Sequence, residues 1–167
     1  MQPEPAPGWL NAAAPRPLAE LLACPPTIQQ RLNSSAQCMD FKHGDVVFRQ
    51  SSACKGLYLV ISGLFQRKAE RLQSRLTLGP ARPGDLVELA AVLGSNCHTC
   101  TLTALVEGSV AMLPADALSQ AFLAWPRLRM QLLEELAREV SRGYNASRLT
   151  RVVKPRRQSS SDGARAQ

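Results

Sequence analysis

Glycines at positions 44, 56, 63, 79, 84 and 94 cut the stretch from Phe41 to Leu113 into pieces too short for stable helices. What lies between them is β-branched or alternating: Asp45–Phe48, Leu57–Ile61, Leu64–Ala69, Arg75–Leu78, Thr101–Val106 and Val110–Leu113. Short strands at this spacing belong to a sandwich, jelly roll or barrel. Gly44, Gly63 and Gly84 fall where one run ends and another begins. A tight corner there calls for a positive φ, which glycine adopts without a steric penalty. No internal repeat is visible.

The flanks read differently. Residues 1–17 hold five prolines among alanines, which predicts an extended arm. Leu18–Leu22 can make a turn of helix before Pro25 and Pro26, and Thr27 with Gln30 has the spacing of a capping box, predicting a short helix over 28–36. After Pro114 the pattern turns helical again, first over Asp116–Ala124 and then from Arg127 to about Arg151. The second stretch has no proline and one glycine, and would reach roughly 35 Å at 1.5 Å per residue. Along it Leu128, Leu132, Leu136, Val140 and Tyr144 recur every fourth residue, widened by Leu133 and Ala137. Such a stripe must be covered, either by its own domain or by a second copy of the chain. A helix this long overhangs so small a body, so a homodimer is expected along Leu132, Leu136, Val140, Gly143 and Tyr144. Gly143 weakens a solitary helix by about 1 kcal/mol but lets a partner approach closely.

The fold class expected is therefore mainly β with flanking helices, an antiparallel roll followed by a long C-terminal helix. At 167 residues and 45% hydrophobic, the chain suits one compact domain. Folding at this length buries roughly 68–70% of the unfolded surface, enough for a core without disulfides or metals. The expected organisation is an arm over 1–17, a β-roll with short helices over 18–125, the long helix over 126–151 and a basic tail over 152–167. No apolar run approaches the ~20 residues needed to cross a bilayer, and the N-terminus lacks the basic and apolar regions of a signal peptide. A cytoplasmic protein is expected. Its five cysteines, an odd count, suit reduced thiols. The net charge of +7 concentrates in the tail, where Arg148, Arg151, Lys154, Arg156, Arg157 and Arg165 face only Asp162. The body is nearly balanced, so no basic face for nucleic acid is expected on it.

Three segments in order carry a further likeness. They are Phe41-x-x-Gly44-Asp45-x-Val47 with Gly56-Leu57-Tyr58-Leu59-Val60-x-x-Gly63; Arg82-Pro83-Gly84-Asp85-Leu86-Val87; and His98-Thr99-x-Thr101-x-Thr103-Ala104, then Pro126 and the long helix. Together they resemble the sensor domain of the CRP/FNR family and other cyclic-nucleotide-binding domains, from about Thr27 to Arg151. The resemblance implies a phosphate cassette in which a Gly-Glu pair opens a short helix. Backbone N–H groups there hold the cyclic phosphate, the Glu accepts the ribose hydroxyl, and a downstream Arg with a Ser or Thr completes the clamp. Counted without a gap, Glu88 stands on the Gly position, Leu89 on the Glu position, His98 on the Arg position and Thr99 on the Ser/Thr position. A one-residue deletion would instead let Glu88 serve as the ribose carboxylate. Neither register restores the arginine, whose charge-assisted hydrogen bond is worth about 1.5–3 kcal/mol, or roughly ten- to hundred-fold in affinity. In the ungapped register Glu88 also brings a negative charge to the phosphate. The two base-contacting hydroxyl positions on the long helix correspond to Gly143 and Tyr144. The conventional ligand is thus expected not to be cAMP, and the candidate ligand-binding residues are Leu86, Val87, Glu88, Leu89, Ala90, His98 and Thr99.

Other chemistries fit less well. Cys97-x-x-Cys100 around His98 invites a zinc or thiol-sensor reading, but positions three apart on a strand face opposite sides. His98 can also be read as a pH-sensitive group or as a partly exposed histidine without assignment. Cys24 and Cys38 lack iron–sulfur spacing. With only His43 and His98, a cupin metal set is absent. No nucleophile motif is present, so neither catalysis, nor a metal, nor a cofactor is expected. Tail residues Lys154, Arg156 and Arg157 suit salt-sensitive phosphate contact at most. A helix-turn-helix is not expected within this chain, so specific DNA binding by it alone is not expected either. The reading is a non-catalytic sensor or regulatory domain, taking an unknown small ligand or protein partner. Its alternatives are an interaction or dimerisation module with a collapsed pocket, or the effector half of a transcription regulator acting with a DNA-binding partner.

Overall fold

The computed structural model describes residues 23–69 and 79–152, with side chains as far as Gly143. The 1–17 arm, the turn at Leu18–Leu22, the Arg75–Leu78 strand, the tail beyond Val152 and the Tyr144 side chain lie outside the described residues. Helix α1, Pro26–Ser35, opens the described chain. It starts on proline itself rather than on a Thr27 cap; the N-cap is Pro25 and no side chain caps it. Proline suits this place because its missing N–H is one that the first turn leaves unbonded anyway. Ile28 and Leu32 turn inward.

Strands β1 (Gln37–Phe41), β2 (Val46–Phe48), β3 (Gly56–Ser62), β4 (Phe65–Lys68), β5 (Leu86–Val87), β6 (Thr101–Ala104) and β7 (Gly108–Pro114) follow, with a wide π-type turn at Ala91–Ser95 between β5 and β6. They form two antiparallel sheets, ordered β1-β7-β3-β5 and β2-β6-β4. Strands β1 and β5 were not expected from the sequence. Gln37–Phe41 turns only Met39 and Phe41 toward the core, either side of Asp40, and Leu86–Val87 is only two residues long, so in neither is the apolar alternation long enough to stand out.

Corners at Gly44, Gly63 and Gly84 take φ of +87°, +87° and +91° as expected. Gly63 has a second constraint. A Cβ there would sit 2.7 Å from the Cα of Gly108, so the β3–β4 turn and the start of β7 can meet only without side chains.

Phe48, Tyr58, Val60, Phe65, Val87, Leu102 and Val110 fill the space between the sheets. A second core joins the roll to the helices. Ile28 and Leu32 of α1, Leu118 and Ala121 of helix α2 (Ala115–Ala124), and Leu128 and Leu132 of helix α3 (Pro126–Val152) pack with Leu57, Leu89 and Leu113. The α3 stripe is thus divided. Leu132, expected on a dimer seam, is 2% exposed inside its own domain, Leu136 is partly covered by the same cluster, Val140 is 56% exposed, and Ala137 is exposed rather than widening a buried stripe. The first turns of α3 therefore find their cover within the chain, because α1 and α2 lie against them. Leu89 in this cluster ties the α3 packing to the segment after β5.

Candidate functional site

Strand β5 pairs with β3 through Tyr58↔Val87 and Leu59↔Leu86, and this delivers Glu88 to the mouth of the roll. There the backbone turns left-handed, with φ +77° at Glu88, and the Glu88 carbonyl accepts the Val92 N–H at 3.0 Å to start the following turn. A non-glycine residue in this conformation costs on the order of 1–2 kcal/mol. The left-handed turn fits the ungapped register, in which Glu88 stands where the resemblance has glycine.

The Glu88 side chain is buried, and donors from one short segment converge on it. Thr99 N–H and His98 Nδ1 donate to Oε2 at 2.9 and 3.2 Å, while Thr99 Oγ1 and Cys100 Sγ donate to Oε1 at 2.9 and 3.4 Å. A carboxylate can only accept, so the His98 nitrogen facing it carries the proton. Burial pulls the His98 pKa below its ordinary value, with Glu88 opposing in part, so the imidazole is neutral at pH 7. Its ring stacks on Phe48 at 3.9 Å with a 7° interplanar angle.

The segment that carries these donors is fixed by the turn after β2. Ser51 N–H donates to the His98 carbonyl at 2.9 Å, His98 N–H to Ser52 at 2.8 Å, and Cys54 N–H to Asn96 at 2.9 Å. This pairing also brings the Cys54 thiol beside Glu88 and His98. Local pattern could not have revealed Cys54, because the partner turn is remote in sequence. Cys97 is exposed and Cys100 buried, so the two sulfurs do face apart.

Between the cassette and α3 lies a cavity of about 180 Å³. Of the candidate ligand-binding residues, Val87, Glu88, Leu89, Ala90 and Thr99 line it, with Cys100, Arg67 of β4, and Leu136, Glu139, Val140 and Gly143 of α3. Leu86 and His98 do not line it. Leu86 faces an adjoining cavity of about 150 Å³ beside Arg67, Asp85 and Glu135, and His98 is held away by its stack on Phe48. Arg67, which sequence reasoning did not single out, bridges the cavity. Its Nη1 donates to Glu139 Oε1 at 2.9 Å and its Nε to the Gly79 carbonyl at 2.8 Å. Burial raises the Glu139 pKa, and the Arg67 guanidinium offsets this in part.

Desolvation, with Glu88 adding to it, pushes the Cys100 thiol up to about 12. A thiol of ordinary pKa near 8.5 then holds about a thousand-fold more thiolate at pH 8. Timed alkylation of the native protein, read peptide by peptide, should label the exposed Cys38 and Cys97 first and Cys100 at least a hundred-fold more slowly. The Cys100 rate should rise about tenfold per pH unit; equal rates at pH 8 would contradict its environment.

The cyclic nucleotide-binding domain family matches residues 38–124 of this chain. A relative from Mycobacterium tuberculosis, described as a CRP-like cAMP-activated global transcriptional regulator, is 27% identical over 123 residues, covering 72% of this chain and 54% of the relative. The chain thus spans about half the length of the curated relatives it matches. Among solved structures, the sensor domain of the transcriptional regulator DNR from Pseudomonas aeruginosa is similar with a TM-score of 0.63 and 19% identity over 75% of this chain and 85% of that one. The catabolite activator protein of Thermus thermophilus is similar with a TM-score of 0.60 and 20% identity over 85% and 62% of the respective chains. These likenesses establish the fold.

Proposed function

The chain belongs to the cyclic nucleotide-binding domain family, and we propose that it acts as a sensing domain of a CRP/FNR-type regulator that does not hold cAMP in the conventional way. One observation carries this reading: the Thr99 hydroxyl, which the family resemblance would give to a cyclic phosphate, is engaged together with the Thr99 N–H by the chain's own Glu88 carboxylate. A phosphate entering this place would meet a negative group on its donors, with a neutral His98 where the resemblance has arginine. Arg67 is already paired with Glu139. Calorimetry of the purified chain against cAMP and cGMP is expected to show no saturable heat; micromolar binding would refute the reading.

The open cavity favours a small ligand over an interaction module with a collapsed pocket. A ligand there would touch β4, the cassette and α3 at once, and can shift the equilibrium between two settings of α3 only by binding them unequally. Regulation of transcription is proposed from the relative in M. tuberculosis; DNA contact is not assigned to the described residues. The family is regulatory, and binding rather than catalysis is its role. No helix among the described residues is long and apolar enough to cross a membrane.

The outer half of α3 is proposed to pair with a second copy through Val140 and the turns after it. Val140→Asp should raise the dimer dissociation constant at least ten-fold in sedimentation experiments, while leaving the fold intact because the side chain is 56% exposed. A wild-type chain that stays monomeric at high concentration would rule this pairing out.

A further inference from the structure

We propose that Cys54, Glu88 and His98 form a site for one divalent transition-metal ion of the zinc class. The proposal rests on the reading above, since it assigns the stimulus to the same Glu88 carboxylate, on the side that faces His98 and Cys54, neither of which lines the cavity: in place of an anion clamped by a guanidinium, a cation held by the carboxylate that displaced it.

One ligand atom from each of the three residues lies within 4.8 Å of the other two. Glu88 and His98 are buried and Cys54 is half-buried, so these are not solvated surface groups. Zinc bonds to sulfur, nitrogen and oxygen run about 2.0–2.3 Å, and a tetrahedron of that size has edges of roughly 3.3–3.8 Å. Closing the three donors onto an ion therefore asks for inward movements of about 1 Å or less. The fourth corner is left to a solvent molecule, the arrangement of an open zinc site. A thiolate, an imidazole and a single carboxylate form a borderline donor set. It suits Zn²⁺, Co²⁺ or Fe²⁺, and not Mg²⁺ or Ca²⁺, which take oxygen ligands.

The surroundings hold these donors in place. The backbone bonds Cys54 N–H to Asn96 and His98 N–H to Ser52 lock the two strand segments together. The Glu88 oxygen that accepts from Thr99 Oγ1 is separate from the one facing His98, so the carboxylate can bind through one oxygen while the other stays anchored. Phe48 stacked on the imidazole fixes its plane. Outer contacts of this kind typically change metal affinity by 10–100-fold. On binding, the Cys54 thiol gives its proton to solvent as the Zn–S bond forms, the His98 proton passes from Nδ1 to Nε2 so that the Nδ1 lone pair meets the ion, and no electron is transferred.

The test is a titration of the full, reduced, chelator-treated chain with Co²⁺, read by the thiolate-to-cobalt charge-transfer absorption, followed by displacement with Zn²⁺. One equivalent should bind saturably and zinc should bleach the band. Cys54→Ser should abolish the band, Glu88→Gln and His98→Gln should each weaken binding at least ten-fold, and Cys38→Ser should change nothing. Glu88→Gln keeps the side chain's shape, so the test stands even if one of the other variants folds poorly. A wild-type chain without the band would overturn the site, as would a band that survives Cys54→Ser. No nucleotide is present in this titration, so its failure leaves the cyclic-nucleotide result standing, and nucleotide calorimetry on the metal-free chain decides that reading separately.

Discussion

Phe65→Ala is expected to lower stability by about 3–5 kcal/mol, the usual cost of emptying a buried aromatic site. Phe65 is fully buried, and its ring meets Phe41 edge-on at 6.2 Å in the space between the sheets. Its backbone exchanges two hydrogen bonds with Ala81, at 3.0 and 2.7 Å, and Ala81 begins the segment that ends in Glu88. The cavity left by alanine would open beneath both the β4–β6 pairing and the approach to the cassette. At roughly 2–4 °C per kcal/mol for a chain of this size, thermal unfolding should fall by about 10 °C. A fall under about 3 °C would mean that the two sheets do not close over this side chain.

Glu88→Gly should do the opposite of most substitutions at a buried residue, creating affinity where there was none. It removes the carboxylate that the Thr99 N–H and hydroxyl now hold, and it relieves the left-handed backbone at φ +77°. The freed donors face the 180 Å³ cavity, where an external anion can reach them. Each hydrogen bond to a charged group is worth about 1.5–3 kcal/mol, so inorganic phosphate or a cyclic nucleotide should bind the variant roughly ten- to hundred-fold more tightly than the parent chain. Stability should fall by a few kcal/mol, because the relieved backbone strain is smaller than the cost of leaving the buried donors of His98, Thr99 and Cys100 without the carboxylate. Calorimetry on the two proteins side by side gives the ratio. Equal affinities would show that Glu88 does not obstruct the site.

The glycine corners were legible in the sequence because their physical demand is local. A positive φ at Gly44, Gly63 and Gly84 follows from where the apolar runs stop, and the roll follows from the corners. The long helix was legible for a similar reason, since Pro126 starts it and no later proline interrupts it. Strand β1 was missed because Gln37–Phe41 joins a sheet edge with its side chains mostly in solvent, so pairing with β7 rather than apolar alternation defines it. Of the site, the positions of Glu88, His98 and Thr99 could be counted from the flanking motif. The engagement of Glu88 by Thr99 could not, because it depends on a side-chain direction set by a left-handed residue. Cys54 and Arg67 were illegible for a different reason. Each reaches the site from a separate strand or turn, brought there by the pairing of residues 51–54 with 96–98 and by the Arg67–Glu139 contact with α3. Leu132 shows the converse limit: its helical spacing marks an apolar face correctly without saying whether α1 and α2 or a second chain will cover it.

The Thr99 backbone amide offers the most direct observation of this arrangement. Its NMR signal should lie downfield in the free protein, where it donates to the Glu88 carboxylate at 2.9 Å, should move upfield in Glu88→Gln, and should stay in place when cAMP is added in excess. A saturable shift of that signal at micromolar cAMP would contradict the proposal that the phosphate donors are already engaged from within the chain.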